Sequence, residues 1–310
     1  MSAGRAVGLV LGLAADGIVG DPKNGRPVNG FARLATALQR RLPADHPLAG
    51  FLHAGALAGG AVLVGVLTER AGRRSPVAEA VGTAVTTWAV LGGAGLALDG
   101  AELARDLETG RLETARHTLS TLDPRHTDGL DVIALSRASV ETVAENTSDA
   151  VVAPLFWGAV AGAPGMLGSR AVSVLRRVAG RRRYGWFVVR LDELVNLLPT
   201  RLAALLTVGG APVVGGSAGG AWRAWRRDAS AHPSPNAGRV EAAFAGALEI
   251  RLGGRTVYPH GVEELPVLGD GRNPDAGHVT RAVELSRVVG WLAGAGAAVL
   301  AVGLGLRNRS

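Results

Sequence analysis

Four charged side chains recur at every fourth position near the middle of the chain. They are Arg137, Glu141, Glu145 and Asp149, with Asn146 beside them. In an α-helix this spacing places all four on one face. Mg²⁺ takes carboxylate and amide oxygens, and proteins usually bind it through one or two carboxylates together with substrate phosphates. The stripe is therefore either a metal and phosphate site or a solvated helix face paired to Arg137.

A second polar group lies in the segment from Arg190 to Asn196. Asp192 and Asn196 are also spaced i, i+4, and an apolar run follows them directly. A carboxylate and an amide that enter a membrane together are costly unless they have partners, which makes both candidates for a site. The alternative is that Asp192 caps a helix.

Two turns could contact phosphate. The sequence Ser234-Pro-Asn-Ala-Gly-Arg239 is a turn that opens a helix, and N–H groups at a helix N-terminus can receive a phosphate. A simple N-cap is the alternative. Gly269-Asp-Gly-Arg272 is a tight turn by default.

Several familiar sites are missing from the sequence. The single lysine, Lys23, is not preceded by Gly-x-x-x-x-Gly, and there is no Gly-x-Ser-x-Gly elbow. With no cysteine there is no disulfide, thiolate metal site or cysteine nucleophile. The histidines lack transition-metal spacing. The net charge of +7 comes from scattered arginines, which fit lipid headgroups and small anions better than nucleic acid.

The elements that must position these residues are mostly apolar helices. Hydrophobic residues reach 47%, and 45 glycines suit closely packed helices. Apolar runs approach the roughly 20 residues that cross a bilayer. They are residues 49–67, 77–98, 151–168, 194–216 and 288–306. We expect an all-α, polytopic integral membrane protein with substantial polar helical segments, forming a single membrane-embedded domain over 1–310.

The polar segments, about 99–149 and 217–287, can be arranged in two ways. If every run crosses, the Arg181-Arg182-Arg183 cluster lies on the cytoplasmic face and Glu145 outside. If runs 151–168 and 194–216 fold back because of their prolines, all polar segments share one face. We favour the second arrangement. We also expect residues 6–20 to form a retained first helix rather than a cleaved signal.

Five motifs in chain order resemble one known family. They are Leu11-Gly-Leu-Ala-Ala-Asp16 with Gly20-Asp21-Pro22, Ser139 to Asp149 leading into Ala153-Pro-Leu-Phe156, Arg190 to Leu202, Ser234-Pro-Asn-Ala-Gly238, and Gly269-Asp-Gly-Arg272. Gly162-Ala-Pro-Gly165 and Arg170-Ala-Val also match. Together they resemble the CobD/CbiB family, the membrane-bound adenosylcobinamide-phosphate synthases of cobalamin biosynthesis.

The resemblance implies an enzyme of the cell membrane that attaches aminopropanol, or its phosphate, to a propionate carboxyl of adenosylcobyric acid as an amide. Carboxylates do not react with amines unaided, so ATP with Mg²⁺ would first form an acyl phosphate. The expected partners are these substrates, the lipid bilayer and other late cobalamin-pathway enzymes, without nucleic acid. The alternative is a catalytically inactive membrane scaffold or sensor for late corrinoid assembly.

The resemblance also assigns positions, and the chemistry suggests roles. The expected catalytic residues are Glu141, Glu145, Asn146 and Asp192. The expected Mg²⁺ ligands are Glu141, Glu145, Asp149 and Asn196. The expected phosphate and cofactor contacts are Arg190, Ser234, Asn236, Gly238, Arg239, Asp270 and Arg272.

Two departures from the family pattern bear on activity. Arg26-Pro-Val stands where family members commonly carry His-Pro-Val. The family's Gly-Arg-Asp-Thr segment is matched only loosely by Leu122-Asp-Pro-Arg125. The loop near Asp123 is therefore the least secure part of the resemblance.

Overall fold

The computed structural model describes residues 2–20, 27–41, 46–179, 185–259 and 261–307. Asp21, Arg26 and the Arg181-Arg182-Arg183 cluster lie outside the described residues. The chain separates into two compact units. Unit 1 comprises residues 1–94, 149–199 and 293–310, and unit 2 comprises residues 95–148 and 200–292. The single membrane-embedded domain stays a prediction.

Helices make up 81% of the structure, which confirms the predicted all-α class. The helices are α1 (Ser2–Val19), α2 (Pro27–Gln39), α3 (Pro47–Gly72), α4 (Pro76–Val90), α5 (Gly93–Glu108), α6 (Leu112–Leu122), α7 (Val132–Thr147), α8 (Ala153–Ala179), α9 (Trp186–Val195), α10 (Leu197–Gly210), α11 (Ala218–Asp228), α12 (Ala237–Leu248) and α13 (Ala276–Arg307). A π-helical turn, Ser148–Val152, joins α7 to α8. The strands are β1 (Leu252–Tyr258) and β2 (Gly261–Leu268).

Glycines allow the helices of unit 1 to approach closely. A Cβ at Gly8 would lie 2.5 Å from the Cβ of Thr83, and one at Gly12 would lie 2.4 Å from the Cβ of Thr87. The backbone of α1 at these glycines therefore packs directly against threonine side chains of α4, as the high glycine content predicts.

The second half of α8 forms the site-bearing part of unit 1. The helix bends at Gly162, whose φ is +64°, shortly before Pro164. Beyond the bend, Val172 and Leu175 join Val188 of α9 in a small apolar core. This packing holds the polar residues of α8 and α9 next to one another.

Unit 2 is built around α12, almost all of whose residues are buried. Helix α11 approaches it so closely that a Cβ at Gly246 would lie 2.2 Å from the carbonyl oxygen of Gly220. Helix α12 ends at Leu248, and Glu249 adopts the left-handed conformation with φ 57°.

Gly253 and Gly254 belong to an antiparallel hairpin of β1 and β2, which was not predicted from the sequence. Thr256, Val257 and Tyr258 favour a strand. The register shifts between Leu252 and Gly254, so the strand carries a bulge there. The bulge turns the Gly253 N–H toward α7.

Among the described residues, five helical segments are long and apolar enough to cross a membrane, which confirms a multi-pass membrane protein. They are Pro47–Gly72, Pro76–Glu108, Val132–Ala179, Leu197–Val214 and Ala276–Arg307. Each contains most or all of one predicted apolar run. Which of them cross, and in which direction, stays a prediction.

Candidate functional site

A buried guanidinium joins two carboxylates in unit 2. Arg125 Nη1 donates to Glu141 Oε2 at 2.6 Å, and Arg125 Nη2 lies 2.8 Å from Asp123 Oδ2. These side chains are no more than 7% exposed. Thr142 Oγ1 donates to Asp123 Oδ2 at 3.1 Å, and the Gly253 N–H donates to Glu141 Oε1 at 2.7 Å. Both Glu141 oxygens are therefore held by protein donors.

Local structure explains how this ion cluster forms. The Arg125 N–H donates to Asp123 Oδ1 at 2.8 Å, which folds the loop back on itself. The next N–H, that of His126, donates to the carbonyl of Val257 in β1 at 2.8 Å. Gly253 has φ +84°, and a Cβ there would lie 2.0 Å from the Pro266 carbonyl oxygen, so only glycine fits. The loop, α7 and the hairpin thus fix the cluster together.

The charges in this cluster stabilise one another. Burial alone lowers the pKa of Arg125, but the carboxylates of Glu141 and Asp123 outweigh it and hold that pKa well above its usual value. Arg137 does not pair with Glu141, because its Nη2 donates to the Arg255 carbonyl at 3.1 Å. The solvated-face alternative is therefore wrong for Glu141.

A further carboxyl group, Glu241 of α12, lies close to this cluster. Its side chain is 7% exposed, with His232 Nε2 3.7 Å from Oε2. Burial raises the pKa of Glu241 well above its usual value, and the neighbouring carboxylates of Glu145 and Glu141 raise it further, against the opposing effect of Arg125. Three buried carboxyl groups, those of Asp123, Glu141 and Glu241, are thus influenced by the one guanidinium of Arg125.

The Ser234–Arg239 turn precedes Glu241 on the same helix. Ser234 Oγ accepts from the Ala237 N–H at 3.1 Å, and Arg239 Nε donates to the Pro235 carbonyl at 3.1 Å. Gly238 is required, because a Cβ there would lie 2.2 Å from the Cβ of His232. The turn opens α12 as predicted, and its serine uses one of the N–H groups that a phosphate would need. Asn236 is buried in the same turn.

Three other predicted site residues have partners within the protein. Asn146 Nδ2 donates to the Thr142 carbonyl at 2.9 Å. Asp270 is exposed and accepts from Arg227 Nη1 at 2.8 Å. Arg272 Nε donates to His278 Nε2 at 3.2 Å. These contacts fix helix and turn geometry, and whether the residues also bind a ligand stays a prediction.

Unit 1 holds a separate polar group between α8 and α9. Arg176 Nη1 lies 3.1 Å from Asp192 Oδ2 and 3.8 Å from Asp149 Oδ2. Asp192 Oδ1 accepts from Ser173 Oγ at 3.2 Å and from Asn196 Nδ2 at 2.9 Å. Burial raises the pKa of Asp192, although Arg176 acts in the opposite direction.

Asp192 lies inside α9, so the helix-cap alternative for it is wrong. Arg190 is exposed and does not contact this group through Nη1, which donates to Glu193 at 2.6 Å.

The predicted stripe does not continue as one α-helical face. Helix α7 ends at Thr147, and the π-helical turn that follows changes the spacing before Asp149. Glu141 and Glu145 belong to unit 2, whereas Asp149 belongs to unit 1. The predicted site residues therefore fall into two groups, one in unit 1 and one in unit 2.

Comparison with known proteins gives the family. Residues 9–286 match the CobD/Cbib protein family. The chain belongs to the CobD/CbiB family. It is 49% identical over 311 residues to the cobalamin biosynthesis protein CobD of Mycobacterium tuberculosis (strain ATCC 25618 / H37Rv), covering 98% of this chain and 97% of that protein.

More distant members also align along most of their length. The CobD protein of Geobacter metallireducens is 38% identical over 282 residues, covering 86% of this chain and 87% of that protein. That of Chromobacterium violaceum is 35% identical over 297 residues, covering 93% and 94%. No solved structure matches the chain. The resemblance inferred from the motifs is confirmed.

Within this CobD/CbiB chain, sequence reasoning missed several residues of the two groups. Arg125 was noted only as a departure from the family pattern, yet it is the cation of the unit 2 cluster. Glu241 was overlooked, although a single acid in the apolar stretch 240–248 was a visible signal. Ser173 and Arg176, spaced i, i+3 on α8, gave no signal beyond their polarity.

The Mg²⁺ that family membership implies can be tested against these residues. In the part of the chain that the structure describes, no three His, Asp or Glu side chains are arranged to hold a metal ion. Glu141 is engaged by Arg125 and Gly253. Mg²⁺ needs only one or two carboxylates when phosphates complete its shell, and the charge of Glu145 acts on the carboxyl group of Glu241. Carboxylates suit Mg²⁺ chemically, and binding of the metal by these two residues is a proposal.

Proposed function

We propose that this chain is an amide-forming ligase of cobalamin biosynthesis. It joins aminopropanol, or its phosphate, to a propionate carboxyl of adenosylcobyric acid, with ATP and Mg²⁺, at the cell membrane. Family membership and the multi-pass helical structure support the role in the pathway. The observation that carries the catalytic proposal is the buried cluster of Asp123, Arg125, Glu141 and Glu241 in unit 2.

Burying several charged groups lowers the stability of a fold unless they are paired, so a buried cluster of this kind suggests a function. A buried charge costs several kcal/mol in lost hydration, and apolar residues of similar volume often give equal or better stability. Perturbed acids that share a site with a single guanidinium are typical of functional sites. A scaffold with the same helices would have no need of Glu241 or Glu145.

The chemistry requires activation of a carboxylate. ATP transfers its γ-phosphoryl group to the corrin propionate, the amine nitrogen attacks the acyl carbon, and phosphate leaves as the amide forms. In this proposal Glu145 and Glu241 would hold Mg²⁺, which would supply positive charge to the phosphates. Arg125 and the Gly253 N–H fix Glu141, so this carboxylate positions the site. The Ser234–Arg239 turn and Arg272 offer N–H donors and positive charge to phosphate.

The alternative is a catalytically inactive membrane scaffold or sensor for late corrinoid assembly. It shares the helices and the family, but it needs neither ATP nor the acids. In both readings the apolar helices lie in a lipid bilayer. We also propose that other late cobalamin-pathway enzymes dock on the chain. The enzyme reading places the acidic groups on the cytoplasmic side, where ATP is available.

Glu145→Gln separates the two readings. We expect membranes with this variant to lose corrinoid amidation by about 100-fold or more, because a carboxylate that would hold Mg²⁺ beside the phosphates is removed. Expression and heat stability should stay near those of the parent, since Glu145 is only half-buried. Glu113→Gln removes a carboxylate that is 89% exposed and serves as the matched control. Unchanged amidation by Glu145→Gln would refute the catalytic assignment.

A further inference from the structure

The polar group of unit 1 contains a loosely held ion pair. Arg176 Nη1 contacts Asp192 at 3.1 Å, but its distance to Asp149 Oδ2 is 3.8 Å. Charge-assisted N–H···O bonds normally measure about 2.7–2.9 Å. Asp149 and Arg176 are 23% and 36% exposed, so a small solute can reach both. Asp192 behind them is 2% exposed and already has three donors.

An unsatisfied acceptor lies in the same group. Asn196 is 1% exposed, and its Oδ1 has no hydrogen-bond partner, whereas its Nδ2 donates to Asp192 Oδ1. The amide therefore extends into the cluster. A buried polar atom without a partner costs about 1–3 kcal/mol and is uncommon in native structures. An added donor at this point would remove the cost.

The charges of this group favour a ligand with both signs. Asp149 and Asp192 supply two carboxylates, and Arg176 Nη1 lies 3.8 Å and 3.1 Å from them. A guanidinium beside both carboxylates opposes a bare divalent cation at this point. A primary ammonium has three donors for carboxylate and amide oxygens, and a phosphate is matched by guanidinium N–H groups.

We propose that this group in unit 1 binds the amine donor as a zwitterion, with its ammonium at Asp149 and Asn196 Oδ1 and its phosphate at Arg176. The inference rests on the proposed ligase function and deepens it, because it assigns to substrate recognition residues that the motif analysis gave to metal binding. Asp192 and Ser173 hold Arg176 and Asn196 in place.

Calorimetric titration of the purified full chain in detergent tests the proposal. Aminopropanol phosphate is the ligand, and aminopropanol, inorganic phosphate and Mg²⁺ alone are the comparison arms. We expect Asp149→Asn and Arg176→Gln each to weaken binding of aminopropanol phosphate by about 10- to 100-fold. Aminopropanol alone should depend on Asp149, and inorganic phosphate alone on Arg176. Arg74→Gln, an exposed arginine of the same unit, should change nothing.

Parent-like affinity in both variants would overturn the proposal. So would Mg²⁺ binding that Asp149→Asn abolishes while binding of the amine phosphate survives. If Arg176→Gln does not fold, Arg176→Lys replaces it, since lysine keeps the charge without the forked donors and should still weaken phosphate binding. A parent that binds the amine but makes no amide contradicts the ligase function alone. Amide formation with an unchanged amine KM in both variants contradicts this inference alone.

Discussion

Arg125→Met is expected to destabilise the protein by about 3–5 kcal/mol, because it leaves the buried carboxylates of Asp123 and Glu141 without their cation. Both are held by Arg125 at hydrogen-bond distance. Thermal unfolding in detergent, followed by circular dichroism, measures the loss as a lower midpoint. Amidation should fall as well, because Glu141 loses the guanidinium that holds its Oε2 in place.

Arg227→Met is the control for this variant. Arg227 binds Asp228 and Asp270, but its side chain is 51% exposed. Exposed ion pairs contribute about 0–1 kcal/mol, so the midpoint should change little. Equal midpoints for the two variants would show that the Arg125 cluster does not stabilise unit 2.

Glu241→Gln is expected to act on stability and turnover in opposite directions. Burial and the neighbouring carboxylates raise the pKa of Glu241 in the folded chain above its usual 4.5. The folded state therefore binds this proton more tightly than the unfolded state. The stabilisation that comes from this protonated carboxyl group is fully present below the pKa of Glu241 in the unfolded chain. It is lost as pH rises through the pKa of Glu241 in the folded chain. Glutamine mimics the neutral form at every pH.

In metal-free buffer the midpoint of Glu241→Gln should exceed that of the parent at about pH 9, and the difference should vanish near about pH 4. Mg²⁺ should stabilise the parent and not the variant. Amidation should fall by about 100-fold or more, since a carboxylate that would hold Mg²⁺ beside the phosphates is lost. A variant that is less stable than the parent at alkaline pH, or one that keeps parental turnover, would contradict these roles. The pH series should be repeated with a variant that lacks the His232 imidazole, because His232 Nε2 lies 3.7 Å from Glu241 Oε2.

The helices of this protein were largely readable from its sequence. Apolar runs such as 288–306 lie within helices of sufficient length, here α13, because hydropathy and length alone decide whether a segment suits a membrane. The glycine content likewise indicated close helix packing, which Gly8 and Gly12 show directly. The motif resemblance gave the family.

The hairpin and the two polar groups were less accessible. Residues 252–268 combine glycines with charged residues, so they gave no clear alternation, and the bulge at Gly253 forms only against its partner strand. The π-helical turn after Thr147 changed the spacing on which the stripe depended. Local periodicity does not reveal such a change.

Long-range pairing explains the remaining omissions. Arg125 meets Glu141 across 16 residues because the loop folds over α7, and no local pattern predicts that contact. Glu241 joins the same region from a helix about 100 residues further along the chain. The sequence singled out the acids around Glu141 as candidates, but their partners depended on tertiary structure.

The most direct test of the ligase function is an omission assay. Membranes that carry the chain are incubated with adenosylcobyric acid, aminopropanol phosphate and ATP with Mg²⁺, and each component is left out in turn. We predict an amide product by mass spectrometry only when all are present, with one ADP and one phosphate released per amide. Amide formation without ATP, or no amide with the complete mixture and a folded chain, would contradict the account.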